Sequence, residues 1–149
     1  MSDASPLFTE AELCTQARVN ASALPYLVAL IAKTAGQTPE AAALLVGRAF
    51  APGWEELRGQ GPTEVARMVA LNMASLGGAV ELQPQSETRV DVRLRGYPTA
   101  EDAAFFGVSR EEADQFTGVI GPIAEFLGLH GSWHRAGEEL VVTVEQSAA

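Results

Sequence analysis

The sequence predicts an α+β domain: a helical N-terminal half, then hairpin, helix and hairpin forming a four-stranded antiparallel sheet packed on helices. The spacing of the apolar residues supports this prediction, because it is helical in one part of the sequence and alternating in another. As far as Leu76 the apolar positions recur every three or four residues, as in helices, and after Gly78 several segments alternate, as in strands. The length of 149 residues favours a single domain over 1–149, with a helical segment at 1–60 and an α-ββ-α-ββ core at 61–146.

Start and stop signals divide the N-terminal half into helices. Thr9 and Glu12 have the spacing of a capping box and open the first helix. Pro25 suits the first turn of a second helix, so we expect a break between the two. The predicted helices cover about residues 10–19, 22–35, 39–51 and 62–76, with a short helical turn at 54–57.

The second half of the sequence predicts two hairpins. Val90, Val92 and Leu94 alternate with charged residues over positions 88–95, which is typical of an antiparallel strand with one buried face. Its partner is a short strand at 79–83, reached through a turn at 84–87. The closing hairpin is predicted from strands at 129–135 and 138–145, around a turn at Ala136-Gly137.

A long helix is predicted between the two hairpins. Ser109 and Glu112 form a second capping box at its start, and apolar residues at helical spacing continue to Leu127. Pro122 lies inside that pattern, and proline removes a backbone donor and clashes with the preceding turn. We therefore expect a kink or a break at Gly121-Pro122. A shorter helix is expected at 99–106.

The charge and the cysteine count exclude several classes of protein. A net charge of −9 opposes binding to nucleic-acid phosphates and to anionic membrane surfaces. The most apolar stretch, Ala23–Ala32, is shorter than the roughly 20 residues that span a bilayer. The single Cys14 can form no disulfide within the chain, and the first ten residues lack the pattern of a signal peptide. We expect a cytoplasmic protein with no nucleic-acid or membrane partner.

The two histidines are the first candidates for chemistry. His130 and His134 are four residues apart, a spacing at which a helix could bring both to one metal ion. Glycines at 128 and 131 favour a strand instead, in which four residues span roughly 13 Å, too far for one zinc ion with bonds of ~2 Å. We therefore expect that His130 and His134 do not bind one metal ion together, and we predict no metal site.

Cys14 and a row of arginines are the next candidates. A reactive Cys14 thiolate would need a nearby cation such as Arg18, whereas a cysteine in a helix is more often a small buried apolar residue, as we expect here. Arg89, Arg93 and Arg95 share one strand face and could bind an anion. The interpretation we favour is a solvated sheet face, on which these arginines pair with acids such as Glu81, Glu139 or Glu145.

The aromatic residues of the C-terminal half indicate a ligand pocket. With Met68 and Met73 they could line an apolar space between sheet and helices, although most of them would serve equally well as core. Tyr97 and Trp133 are the preferred candidates, because each combines an apolar ring with one polar group. The predicted ligand-binding set is Tyr97, Trp133, His130, Arg93 and Phe116.

Four segments between Gly61 and Glu145 carry a resemblance to known families: helix 62–76, T-R-V-D-V-R-L-R ending in G-Y-P, G-V-I-G-P-I-A-E-F-L-G, and H-R-A-G-E-E-L-V-V-T-V-E. Together they resemble small-molecule-binding domains of the vinyl-reductase type, related in fold to haem-based nitric-oxide sensors and to a subunit of a Golgi tethering complex. They are also similar to the family named for aminothiazoline-carboxylate hydrolase. The resemblance implies a ligand pocket between sheet and helices and a homodimer.

The resemblance transfers no catalytic residue. Those families often carry cysteines after the second strand and in the last hairpin, where this chain has Gly96-Tyr97-Pro98 and Gly137-Glu138-Glu139. Cysteine-dependent chemistry is therefore not implied, and no cofactor is identified.

Three functions stay open on the sequence alone. The first is a noncatalytic domain that binds or senses a small apolar ligand as a homodimer, with a closed apolar pocket near Tyr97 and Trp133. The second is a protein-interaction module that uses the apolar helix Leu24–Ala32 or a free sheet edge. The third is a hydrolase for a small heterocyclic substrate, with His130 or His134 beside an acid in a polar cleft.

Overall fold

The computed structural model describes residues 6–148 and has the predicted α+β architecture, with one four-stranded antiparallel sheet. Its helices are α1 (Glu10–Thr34), α2 (Pro39–Phe50), α3 (Pro62–Ser75), α4 (Ala100–Phe105), α5 (Arg110–Asp114) and α6 (Ile120–Phe126). Two 3₁₀ segments cover Ala51–Leu57 and Gln115–Val119, and the strands are β1 (Ala79–Ser86), β2 (Arg89–Arg95), β3 (Leu129–Ala136) and β4 (Glu139–Gln146). None of the helices within residues 6–148 is long and apolar enough to cross a bilayer.

The first helix is longer than the sequence indicates. The predicted break near residue 20 is wrong, because α1 runs unbroken from its Thr9–Glu12 capping box to Thr34 with Pro25 inside it. Pro25 has no N–H to donate to the turn before it. In that turn the carbonyl of Ser22 accepts a hydrogen bond of 2.5 Å from the Tyr97 hydroxyl. A contact from distant sequence thus supports the backbone where proline weakens it.

The sheet has the order β1-β2-β4-β3, so the two hairpins meet through β2 and β4. On the face toward the helices, Val90, Val92 and Leu94 of β2 lie opposite the apolar residues of β4, with Leu94 facing Leu140. All of these side chains are buried. The alternation predicted for this strand is confirmed, and it determines which face of the sheet the helices cover.

The first hairpin turns later than predicted. The predicted turn at 84–87 is wrong, since β1 continues through Pro84 to Ser86 and the chain reverses at Glu87-Thr88. A strand can hold proline at a sheet edge, where no neighbour needs its missing N–H, and β1 is such an edge. The pairing with β2 is irregular between Pro84 and Ser86. The turn of the second hairpin lies at Gly137-Glu138, one residue beyond the prediction.

The long helix after Ser109 is interrupted earlier than predicted. The Ser109–Glu112 capping box is present, but the interruption is the 3₁₀ segment at 115–119, and Pro122 lies in the first turn of α6. Proline is tolerated in a first turn, because the N–H groups there have no partner inside the helix. The 3₁₀ segment packs closely against α2. A Cβ added at Gly47 would lie only 2.7 Å from the carbonyl oxygen of Val119.

A buried ion pair joins this segment to the sheet. Asp114, which is only 3% exposed, accepts two hydrogen bonds of 2.6 and 2.7 Å from the guanidinium of Arg135 on β3. The bidentate geometry satisfies both carboxylate oxygens. The end of α5 is thereby held against the far edge of the sheet.

Replacing Gly47 tests the close approach of α2 to the 3₁₀ segment. We expect Gly47→Ala to lower the free energy of unfolding by roughly 1–3 kcal/mol through steric overlap, although alanine's helix preference alone would raise it by about 1 kcal/mol. Urea denaturation measures the change. Gly53→Ala is the control, because a Cβ there meets nothing within 4 Å. Stabilisation by Gly47→Ala would contradict the packing described.

Removing Arg135 tests the buried ion pair. We expect Arg135→Met to lower the free energy of unfolding by about 3 kcal/mol, because it leaves the carboxylate of Asp114 buried without its partner. Lys33→Met breaks the exposed pair with Glu112 and should cost less than about 1 kcal/mol. Both are measured by urea denaturation, and equal losses would show that the burial of Asp114 carries no special cost.

Candidate functional site

An apolar cavity of about 90 Å³ lies between the sheet and the helices. α3 contributes Val69, Met73 and Leu76, whose spacing of three or four residues places them on one helix face. The floor is the buried face of the β2–β4 pair. The remaining wall comes from α1, both 3₁₀ segments, the residues after β2, α5 and α6: Pro25, Trp54, Tyr97, Pro98, Ala113, Phe116, Thr117, Val119, Ile120 and Ile123.

Tyr97 links the cavity to the N-terminal helix. Its ring lines the cavity and stands edge-on to the ring of Tyr26, with the ring centres 5.7 Å apart. Its hydroxyl donates to the Ser22 carbonyl, and the Tyr26 hydroxyl accepts a hydrogen bond of 3.0 Å from the Thr99 backbone N–H. Burial raises the pKa of both hydroxyls above the ordinary value for tyrosine, so both are neutral at physiological pH.

The polar atoms of the cavity wall are few. Among the described residues that line the cavity, only Trp54, Asn72, Tyr97 and Thr117 have a polar side-chain atom. The Asn72 side-chain N–H donates to the Met68 carbonyl of its own helix at 2.9 Å, which leaves the amide oxygen as an acceptor. No charged side chain belongs to the cavity wall in the part of the chain that the structure describes. Such a wall favours an uncharged ligand, because a buried charge needs a partner.

A surface groove adjoins the cavity. Trp54 and Asn72 border both spaces, and the groove continues along Glu56, Leu57 and Met68. Trp54 and Leu57 are half-buried, whereas Glu56 is exposed. A molecule with an apolar end in the cavity could therefore extend past Trp54 to solvent, with its polar end beside Glu56.

The structure separates the residues of the predicted ligand set. Tyr97 and Phe116 lie on the cavity wall. Trp133 borders a different groove, with Glu40 and Leu44, and so does not share a pocket with Tyr97. The physical reason is strand order: Tyr97 follows β2, whereas Trp133 is on β3, the edge strand beyond β4.

Arg93 is part of an ion-pair cluster on the opposite face of the sheet. Its guanidinium donates to the Gln83 amide oxygen and to the Glu139 carboxylate, each at 2.7 Å, and Arg95 pairs with the same carboxylate. The Arg93 hydrogen bond, followed by that of Arg95, lowers the pKa of Glu139. The predicted pairing with Glu139 is confirmed. The Nε atom of Arg89 lies 3.6 Å from the Oδ1 atom of Asp91.

The histidines lie on that same face, outside the cavity. Both are exposed, and His130 faces Glu145 across the strand pair beside the shallow groove at residues 145–148. Within residues 6–148, no three or more His, Cys, Asp and Glu side chains are grouped as a metal site. Cys14 is exposed, so the expectation of a small buried residue is wrong there. The reason is that every α1 residue from Glu10 to Asn20 is exposed.

Several cavity residues carry no sequence signal. Trp54 follows Pro52-Gly53 in a segment too short to show a period, and nothing near it in sequence indicates a pocket. Val69 and Leu76 belong to the predicted apolar face of α3, but that face predicts core and cavity equally well. Met73 was expected at a pocket and lines the cavity, whereas Met68 lies in the adjoining groove.

Comparison of the sequence with models of protein families finds no match. Comparison with curated proteins finds no significant match either.

The two tyrosines allow a direct test of the burial described here, because the chain has no others. Their folded-state pKa values are raised above the unfolded value of about 10, so the stability they contribute is complete below that pH and is lost as pH rises further. We expect the ultraviolet absorbance of tyrosinate to appear at a higher pH in the folded chain than in the unfolded chain. Tyrosine ionisation near pH 10 in the folded chain would contradict the structure.

Tyr97→Phe is the matched variant for that titration. It keeps the ring on the cavity wall but leaves the Ser22 carbonyl without its donor, so we expect a loss of about 1 kcal/mol at neutral pH. The alkaline loss of stability should be smaller than in the unaltered chain, because one titrating group is gone. Urea denaturation at neutral and alkaline pH measures both effects.

Proposed function

We propose that the chain is a noncatalytic domain that binds, or senses, a small uncharged ligand in the cavity between sheet and helices. The observation that carries the proposal is the cavity wall, which is apolar except for the polar groups of Trp54, Asn72, Tyr97 and Thr117 and holds no charged group in the described residues. Ligand sites are concave and mostly apolar, with a few placed polar groups. This wall has that composition.

The size of the cavity limits the ligand. A cavity of about 90 Å³ is smaller than the engineered cavity of ~150 Å³ that binds benzene. A larger ligand would extend past Trp54 into the adjoining groove, where Asn72 offers an amide oxygen and Glu56 a carboxylate. The best candidates are therefore a compact apolar molecule, or an amphiphile with a short apolar end and a polar or cationic head.

The surroundings of the cavity support binding over hydrolysis. The two histidines that a hydrolase would use lie on the outer face of the sheet, so a substrate in the cavity would not reach them. The buried acid Asp114 has both carboxylate oxygens bonded to Arg135. A homodimer and a cytoplasmic location, as expected from the sequence, complete the proposal.

A protein-interaction role is the second candidate, and a separate observation favours it. Large apolar side chains are exposed along α1, among them Leu13, Leu24, Leu27 and Ile31. An exposed apolar stripe of this kind marks interaction surfaces. The two roles are compatible, because the stripe and the cavity lie on different parts of the molecule.

Filling the cavity tests the proposed site. Ala113 is buried on the cavity wall, so Ala113→Leu should occupy part of the space without exposing a polar group. Xenon and benzene serve as probes, and binding is followed through chemical-shift changes of cavity residues in NMR spectra. We expect saturable changes at Val69, Tyr97 and Val142 in the unaltered chain, and a loss of affinity of at least tenfold in Ala113→Leu.

Ala104→Leu is the matched control, because Ala104 is exposed on α4, and it should bind both probes as the unaltered chain does. Native mass spectrometry of the purified chain would then show whether a ligand is retained from the cell. Saturable binding that Ala113→Leu leaves unchanged, or no binding of either probe, would overturn the assignment of the cavity.

A further inference from the structure

Two exposed acids stand side by side in the 3₁₀ segment Ala51–Leu57, which borders both the cavity and the adjoining groove. The carboxylate of Glu55 accepts a hydrogen bond of 3.0 Å from each of two guanidinium nitrogens of Arg58. Glu56 lines the groove, and no cationic side chain among residues 6–148 forms an ion pair with its carboxylate. The two neighbours therefore differ, because the charge of Glu55 is compensated and that of Glu56 is not.

Arg58 is the basic residue nearest to Glu56 in the sequence, but its contacts lie elsewhere. Besides its two bonds to Glu55, its guanidinium carbon lies 4.5 Å from the centre of the Phe126 ring, a cation–π contact. Arg58 lines neither the cavity nor the groove. Among the described residues that line these two spaces, Glu56 is consequently the only charged one.

The groove offers two further groups that suit a cation. Trp54 is half-buried and lines both spaces, and the face of an indole ring attracts a cation within about 6 Å of its centre. Asn72 also lines both spaces, and because its side-chain N–H donates to the Met68 carbonyl, its amide oxygen is available as an acceptor. A carboxylate, an amide oxygen and an indole ring therefore border one groove, whose other side chains, Leu57 and Met68, are apolar.

We propose that the ligand of this site is a primary alkylammonium ion, with its short alkyl chain in the cavity and its ammonium group in the groove. The inference rests on the ligand-binding function proposed above and selects the amphiphile with a cationic head. The three N–H groups of the ammonium donate to the Glu56 carboxylate and the Asn72 amide oxygen, with the charge against the ring of Trp54. The alkyl chain carries no charge and is the part that the apolar wall encloses.

The charge of the groove selects this head group over the others that an amphiphile can carry. A carboxylate or phosphate would face Glu56, and no basic side chain among the described residues lines the groove to compensate it. The net charge of −9 acts on an anion in the same direction. A neutral alcohol could donate to Asn72 but would gain little from the charge of Glu56.

The apolar wall of the cavity determines the direction in which the ligand lies. A charge inside the cavity would lose its hydration without gaining a partner, so the ammonium group stays in the groove. A diammonium ion of the same chain length has a charge at both ends and cannot bury either one without this cost. We therefore expect the site to discriminate against it.

A series of ligands that differ only in the head group tests the proposal on the full chain. The n-butyl ammonium, alcohol and carboxylate, and their n-hexyl counterparts, are titrated at neutral pH and low ionic strength, where the amine is protonated and the acid is ionised. Binding is followed through chemical-shift changes at Val69 and Tyr97 in NMR spectra. We expect the ammonium to bind roughly fivefold more tightly than the alcohol, because an exposed ion pair and a cation–π contact each add a modest attraction. The carboxylate and the diammonium ion should bind more weakly than the alcohol.

Replacing the one charged residue of the groove tests its role directly. We expect Glu56→Gln to lower the affinity for n-butylammonium by roughly threefold and to leave the affinity for n-butanol unchanged. Glu87→Gln is the matched control, because Glu87 is also exposed, lines neither the cavity nor the groove and loses the same charge. This variant should bind every member of the series as the unaltered chain does.

The outcomes separate this inference from the function on which it rests. Binding of xenon, benzene and n-butanol with no preference for the ammonium would overturn the alkylammonium assignment and leave the ligand-binding cavity intact. Tighter binding of the carboxylate than of the ammonium would overturn it as well, and so would equal effects of Glu56→Gln and Glu87→Gln. If xenon, benzene and every member of the series fail to bind, the cavity is not a ligand site and both proposals fall.

Discussion

The structure depends on one packed layer, the apolar face that β2 and β4 present to the helices. Val90, Val92 and Leu94 face Val144, Val142 and Leu140 across the strand pair, and none of the six is more than 1% exposed. These two strands belong to different hairpins, so the layer forms only when the beginning and the end of the C-terminal half meet. Every helix that covers it is then placed by the need to keep this surface from water.

The same layer forms the floor of the cavity. The helical cover consists of several elements rather than one helix, since α1, α3, both 3₁₀ segments, α5 and α6 all line the cavity. The cavity wall is apolar because core residues form it, and Trp54 and Asn72 border both the cavity and the adjoining groove.

The two faces of the sheet differ in composition. The outer face is polar, with Arg93 and Arg95 sharing the carboxylate of Glu139 and with Thr143 donating to the buried Asp91. The inner face carries the cavity. The N-terminal helix reaches the inner side through Pro25 and Tyr26, while its exposed apolar side chains, such as Leu13 and Ile31, face away from the domain.

The sequence by itself determined the elements whose signals are local. The two capping boxes, the apolar stripe of α3 and the alternation of β2 each depend on neighbouring residues, and all are present in the structure. The pairing of Arg93 with Glu139 was also foreseeable, since opposite charges on one sheet face seek each other. The expectation of an apolar space between sheet and helices followed from the aromatic residues, and Tyr97 and Phe116 do line the cavity.

Only the tertiary structure decided the rest, because those features depend on contacts between distant residues. α1 continues through Pro25, with the hydroxyl of Tyr97 bonded to the Ser22 carbonyl in the turn before it, and the helix after Ser109 changes to a 3₁₀ segment where α2 approaches at Gly47. Strand order placed Trp133 away from Tyr97 and brought Trp54 to the cavity instead. A local pattern records which residues must be buried, but not which distant surface buries them, and that choice determined the shape of the site.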